Sequence, residues 1–141
     1  MNAPTTAHYA RKTPKIGETA QVRKTMTVAD QGLYSGISGN IHPLYVNEVH
    51  AKTTTVGTRL VFELAVASLL TNSLSEIGGP FSRVSAMNLT FPNPTRIGDT
   101  VAARVEVTAV AGGRVTCKVS CKRDDGGRVV CEGTAELADV K

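Results

Sequence analysis

Between Ser38 and Ala51 the chain reads SGNIHPLYVNEVHA, and three side chains able to handle a proton or a water fall close together: Asn40, His42 and Tyr45. An imidazole titrates near neutral pH, so His42 is the best suited of the three to acid–base work on its own. A phenol with an ordinary pKa of about 10 is a weak acid and a poor base at neutral pH. An amide such as Asn40 can orient a water but cannot take its proton. Glu63 stands apart as the one acidic residue early in a long apolar segment. At the start of a helix its charged form is favoured by the helix dipole, as a base or as a plain N-terminal charge. Further along the same segment, Thr71 can bond back to the preceding turn. His50 reads as a solvated side chain.

The elements that must position these groups follow from the pattern. Residues 19–27 (TAQVRKTMT) predict a first strand, and 28–34 a short helical turn. The stretch SGISGNIHPLY predicts an irregular loop in which Pro43 disfavours a helical conformation at His42. Residues 47–51 fit another short helix. From 58 to 75 the chain is apolar on nearly every side, which predicts a long buried helix, ended by Gly78-Gly79-Pro80. The remainder predicts antiparallel sheet: a strand over 81–91, then three alternating strands over 100–110, 115–121 and 128–137. Asp124-Asp125-Gly126-Gly127 marks a hairpin between the last two. One long helix and a meander of strands satisfy a common core only if the sheet wraps the helix, an α+β arrangement. Such a sheet leaves an edge strand that a second copy can cover.

With 141 residues and a formal net charge of +4, the chain has the size of one domain, expected over 16–141 behind a flexible tail at 1–15. No stretch is apolar enough to cross a bilayer, and the N-terminus lacks the apolar core of a secretory signal, so a cytoplasmic protein with no membrane contact is expected. Three cysteines, Cys117, Cys121 and Cys131, fit neither a disulfide framework nor a zinc pattern and are expected as small buried hydrophobes. No metal and no cofactor are expected. Arg11, Lys12, Lys15, Arg23 and Lys24 bias the N-terminal region towards anions, but no nucleic-acid-binding pattern accompanies them, so no nucleic-acid partner is expected.

The segment from Tyr34 to Ala51 resembles the signature of MaoC-like hydratases and dehydratases, a family that includes the (R)-specific enoyl-CoA hydratases. Ser38-Gly39, His42-Pro43, Leu44 and Ala51 carry the match. Phe91-Pro92, Pro94, Ile97-Gly98-Asp99-Thr100-Val101 and Gly133-Thr134-Ala135 extend it over roughly residues 16 to 138. The resemblance implies a hot-dog fold, a long helix wrapped by an antiparallel sheet, usually dimeric with acyl-CoA sites at the interface. It implies a substrate carried on coenzyme A or acyl carrier protein, with Ser38 and Gly39 in the substrate-binding loop and Thr71 beside the acyl group.

It also implies three departures. The family's catalytic aspartate falls on Asn40, its histidine on Tyr45, and the glycine whose backbone N–H holds the thioester oxygen on Glu63. Since general acid–base catalysis contributes about 10²- to 10⁴-fold, losing both groups is expected nearly to silence ordinary hydration unless His42, or a Glu63 carboxylate turned into the pocket, takes the role. Three functions stay open: a hydratase or dehydratase with altered residues, a thioesterase using Glu63, and a non-catalytic thioester-binding subunit. The last can be a homodimer or can pair with an intact MaoC-like partner.

Overall fold

The computed structural model describes residues 9–140 of the chain. The expected tail at 1–15 falls partly on residues 1–8, outside the described residues. Residues 9–15 lie in no helix or strand; Arg11 stacks over the Phe81 ring at 4.6 Å, and Lys12 Nζ donates to the Glu76 carbonyl.

The regular elements run β1 (Thr19–Thr25), α1 (Val28–Ser38), α2 (Pro43–Val46), α3 (Glu48–Ala51), α4 (Glu63–Gly78), β2 (Ser82–Thr90), β3 (Thr100–Ala111), β4 (Arg114–Arg123) and β5 (Val129–Asp139). The strands form one antiparallel sheet in the order β1-β3-β4-β5-β2, with α4 packed across it. This is the expected α+β, hot-dog arrangement. Alternation decides the sheet's inner face: Val101, Ala103, Val105 and Val107 of β3 and Cys117, Val119 and Cys121 of β4 are all buried. They meet Val66, Leu70, Leu74 and Ile77 of α4, each large side chain contributing about 1.5–3 kcal/mol by its burial. The three cysteines are buried and free.

Three elements differ from the sequence expectation. Helix α1 does not stop at Tyr34 but continues to Ser38. Thr27 and Asp30 form a capping box at its start, and Gly39 adopts a left-handed conformation (φ 72°) at its end. Capping at both ends offsets the weak helix propensity of Gly32, Ser35 and Gly36. Residues 43–46, expected as loop, form α2 with Pro43 in its first turn, where proline loses no helical hydrogen bond. His42 is extended (ψ 142°), as the following proline requires.

Helix α4 begins at Glu63 rather than Thr58, because the preceding residues are held in extended backbone. Leu60 bridges to Arg96 and Val61 N–H donates to Thr95 O. The helix is also not buried all round. Leu64, Ser68, Thr71 and Asn72 lie on an exposed strip beside the buried stripe.

Candidate active site

Between α1 and the entry to α4 three aromatic rings stack. Phe62 is 2 % exposed, with Tyr34 on one side at 4.5 Å and Tyr45 on the other at 4.4 Å between centroids. Stacking carries the short helix α2 against the start of α4 and sets the Tyr45 hydroxyl beside Glu63. The phenol donates to both carboxylate oxygens, at 3.1 Å to Oε1 and 2.9 Å to Oε2. Burial is the main reason the Tyr45 hydroxyl is pushed up to about 12, with the adjacent carboxylate adding to it. Tyr45 is thus a neutral donor at physiological pH and Glu63 its acceptor. Both side chains are half-buried.

Glu63 is the first residue of α4, and the residue before it, Phe62, supplies no side-chain cap. Phe62 N–H is taken by the Gln31 side chain, and Ala65 and Val66 N–H both turn back to Phe62 O. Among the described residues, the Glu63 and Leu64 N–H groups therefore donate to no protein acceptor. A carboxylate, a phenol and two open helix N–H groups share one end of α4. Such a set can bind a polarised carbonyl oxygen and move a proton next to it.

The loop candidates are placed differently. Asn40 Oδ1 accepts from His42 N–H at 3.1 Å, and Asn40 N–H donates to Ser38 Oγ at 3.1 Å. Ser38 Oγ in turn donates to Tyr34 O. Ser38, Gly39 and Asn40 thus form the exit from α1, with Asn40 half-buried and the His42 side chain exposed. Among the described residues neither Asn40 nor His42 is hydrogen-bonded to Tyr45 or Glu63. Thr71 bonds back to Ser68 O at 2.6 Å and also lines a groove of about 420 Å³ between α4 and β2. The groove walls are apolar, formed by Leu64, Ala67, Met87, Leu89 and Phe91.

One component left no signal in the sequence. Gln31 is 4 % exposed, and its amide is bonded to three backbone groups around the site. A single glutamine in a short, glycine-containing helix has no periodicity that separates it from a solvated residue.

Comparison with known proteins agrees with the fold. The family model "MaoC like domain" matches residues 11–125. The chain belongs to the MaoC-like family. Its relatives include the (R)-specific enoyl-CoA hydratase of Rhodospirillum rubrum, 36% identical over 87% of this chain and 86% of that protein. The 3-hydroxybutyryl-CoA dehydratase of Methylorubrum extorquens is 30% identical over 86% and 78%. Among solved structures, the (R)-hydratase of Aeromonas caviae superposes with a TM-score of 0.84 at 26% identity, covering 90% of this chain and 97% of that one. In this MaoC-like chain, the positions where the resemblance implies the family's histidine and its oxyanion glycine are Tyr45 and Glu63, the two residues in direct contact.

Proposed function

We propose that the chain adds water reversibly to the double bond of a trans-2-enoyl thioester of coenzyme A, with Glu63 as the acid–base group and Tyr45 as the hydroxyl that orients it. The observation that carries this reading is the double hydrogen bond from Tyr45 to Glu63 beside the open Glu63 and Leu64 N–H groups. The thioester oxygen is held by those N–H groups, which withdraws electrons from the β-carbon. As water oxygen bonds to that carbon, the Glu63 carboxylate takes the water proton. The same proton is returned to the α-carbon as the enolate collapses, so the carboxylate ends as it began. Asn40, whose side-chain NH₂ has no acceptor among the described residues, holds a water at the loop. His42 is the alternative proton carrier in that loop. The acyl chain lies in the apolar groove past Thr71.

The assembly that fits is a homodimer. Strand β2 is an edge with β5 as its single neighbour, and Leu33, Ile37, Ile41 and Val49 expose apolar surface on and around α1 to α3. A second copy covers both. Light scattering on the purified chain tests this: twice the chain mass is expected, and a monomer overturns it.

The activity is tested with a panel of enoyl-CoA and saturated acyl-CoA thioesters, following enoyl absorbance and free thiol together. Loss of absorbance without thiol release supports hydration. A second reading has the same carboxylate and N–H groups hydrolysing the thioester, and thiol release selects it. Silence in both channels from a folded protein overturns catalysis and leaves a thioester-binding or partner subunit.

A further inference from the structure

The polar groups that join α1 to the site converge on one side chain. Gln31 is the one buried residue of α1, at 4 % exposure. Its Nε2 donates to Tyr45 O at 2.8 Å and to Leu60 O at 2.8 Å, and its Oε1 accepts from Phe62 N–H at 3.4 Å. Both hydrogens of the amide and one lone pair of its oxygen are therefore in use. Each partner is a backbone group of a segment that carries the site: Tyr45 itself, and the extended residues leading into Glu63.

Little else fixes α2. The helix has four residues, none of them buried, and no side-chain cap. Besides the Tyr45–Glu63 contact itself, its other ties to the body are the Tyr45–Phe62 stack and the bond from Leu60 N–H to Leu44 O. A buried amide of this kind is specific in a way an apolar side chain is not. Removing it leaves two carbonyls and an N–H without partners in a dry place, which favours movement of the segment towards water. By occupying Phe62 N–H, Gln31 also makes Glu63 N–H the first open donor of α4.

We propose that Gln31 is the positioning residue of the Tyr45–Glu63 pair, locking α2 to the entry of α4 through three backbone hydrogen bonds. The inference deepens the proposed hydratase site and rests on that reading only for its catalytic consequence. The geometric claim has its own readout. With ¹³C-labelled tyrosine, the Tyr45 ring signal is the one lost in Tyr45→Phe, and its stacking on Phe62 displaces it by ring current. In Gln31→Met that signal is expected to move to the position of a solvated tyrosine. Gln31→Glu keeps the shape but turns a carboxylate on two carbonyl oxygens, so it is expected to move the signal the same way at neutral pH. This second variant carries the test if the first does not fold.

A folded variant of either kind whose Tyr45 signal stays at the parent position, whatever its melting temperature, overturns the proposal. If the parent hydrates enoyl-CoA, kcat in the variants is expected to fall about 10- to 100-fold, as displaced catalytic groups typically cost, with KM little changed. A rise in KM at unchanged kcat overturns the link to catalysis. A parent without hydratase activity overturns the proposed function and leaves the spectroscopic test of Gln31 intact.

Discussion

The Tyr45 hydroxyl donates to both oxygens of the Glu63 carboxylate, joining a four-residue helix to the first residue of the central helix across eighteen positions of sequence. Two residues that each depart from the pattern implied by the resemblance are thus a single feature. A phenol placed where a histidine is implied cannot serve as a base. A carboxylate beside it can, and the phenol holds that carboxylate in one orientation at the helix terminus where a carbonyl oxygen would be bound.

Replacing Glu63 by Gln keeps an acceptor for the Tyr45 hydroxyl and the backbone N–H, but removes the proton acceptor. Enoyl-CoA hydration is expected to fall by about 10²- to 10⁴-fold, while the urea midpoint stays close to that of the parent. Steady-state kinetics and an unfolding curve on the same preparation check it. Full activity in Glu63→Gln would move the acid–base role to His42.

Alkaline stability follows from the raised Tyr45 group. In the unfolded chain a tyrosine gives up its proton near pH 10, whereas in the folded protein Tyr45 holds it up to about 12. Below the unfolded value both states are protonated and the contribution is whole. Between the two values the native state binds more protons than the unfolded chain, so stability falls as pH rises. Unfolding midpoints of the parent and Tyr45→Phe, compared across that window, are expected to converge with rising pH. Parallel curves would show that Tyr45 does not hold its proton.

Gly133 of β5 stands opposite Leu89 of β2. A Cβ there would stand 1.8 Å from the Asn88 carbonyl oxygen and 3.1 Å from Leu89 Cα, both backbone. Backbone cannot swing aside as a side chain can, so Gly133→Ala must separate the strands. A loss of about 3 kcal/mol is expected from such overpacking, read as a drop in the urea midpoint. Hydrogen exchange should rise first along β2, the edge proposed to pair with a second copy. Exchange rising evenly over the sheet would contradict this placement.

The sheet was legible because a strand against a core alternates with period two. Val101, Ala103, Val105 and Val107 announce their inward face in sequence and are at most 1 % exposed. The limits of α1 and α4 were not legible, because tertiary contacts decide them. Capping at Thr27 and Gly39 carries α1 through two glycines, and the Leu60–Arg96 bridge keeps five apolar-rich residues out of α4. The candidate residues of the site were named from type and resemblance, but the contact of Tyr45 with Glu63 depends on the Phe62 stack and on Gln31. Neither leaves a local pattern, since both depend on the chain folding back on itself.

The cysteines give a last test, of the core rather than the site. Cys121 and Cys131 face each other across β4 and β5, and all three thiols are fully buried. Burial pushes the Cys117 thiol up to about 11, and contact with Cys131 together with burial pushes Cys121 up further. A thiol reacts as its thiolate and must meet the reagent. Contact with Cys121 lowers the Cys131 thiol from its ordinary value, but burial keeps the reagent from all three. Modification by a small disulfide reagent at neutral pH is therefore expected to wait for unfolding, with all three sites reacting together once urea exceeds the midpoint. If one thiol reacts in the native state ahead of unfolding, the sheet opens locally at that strand.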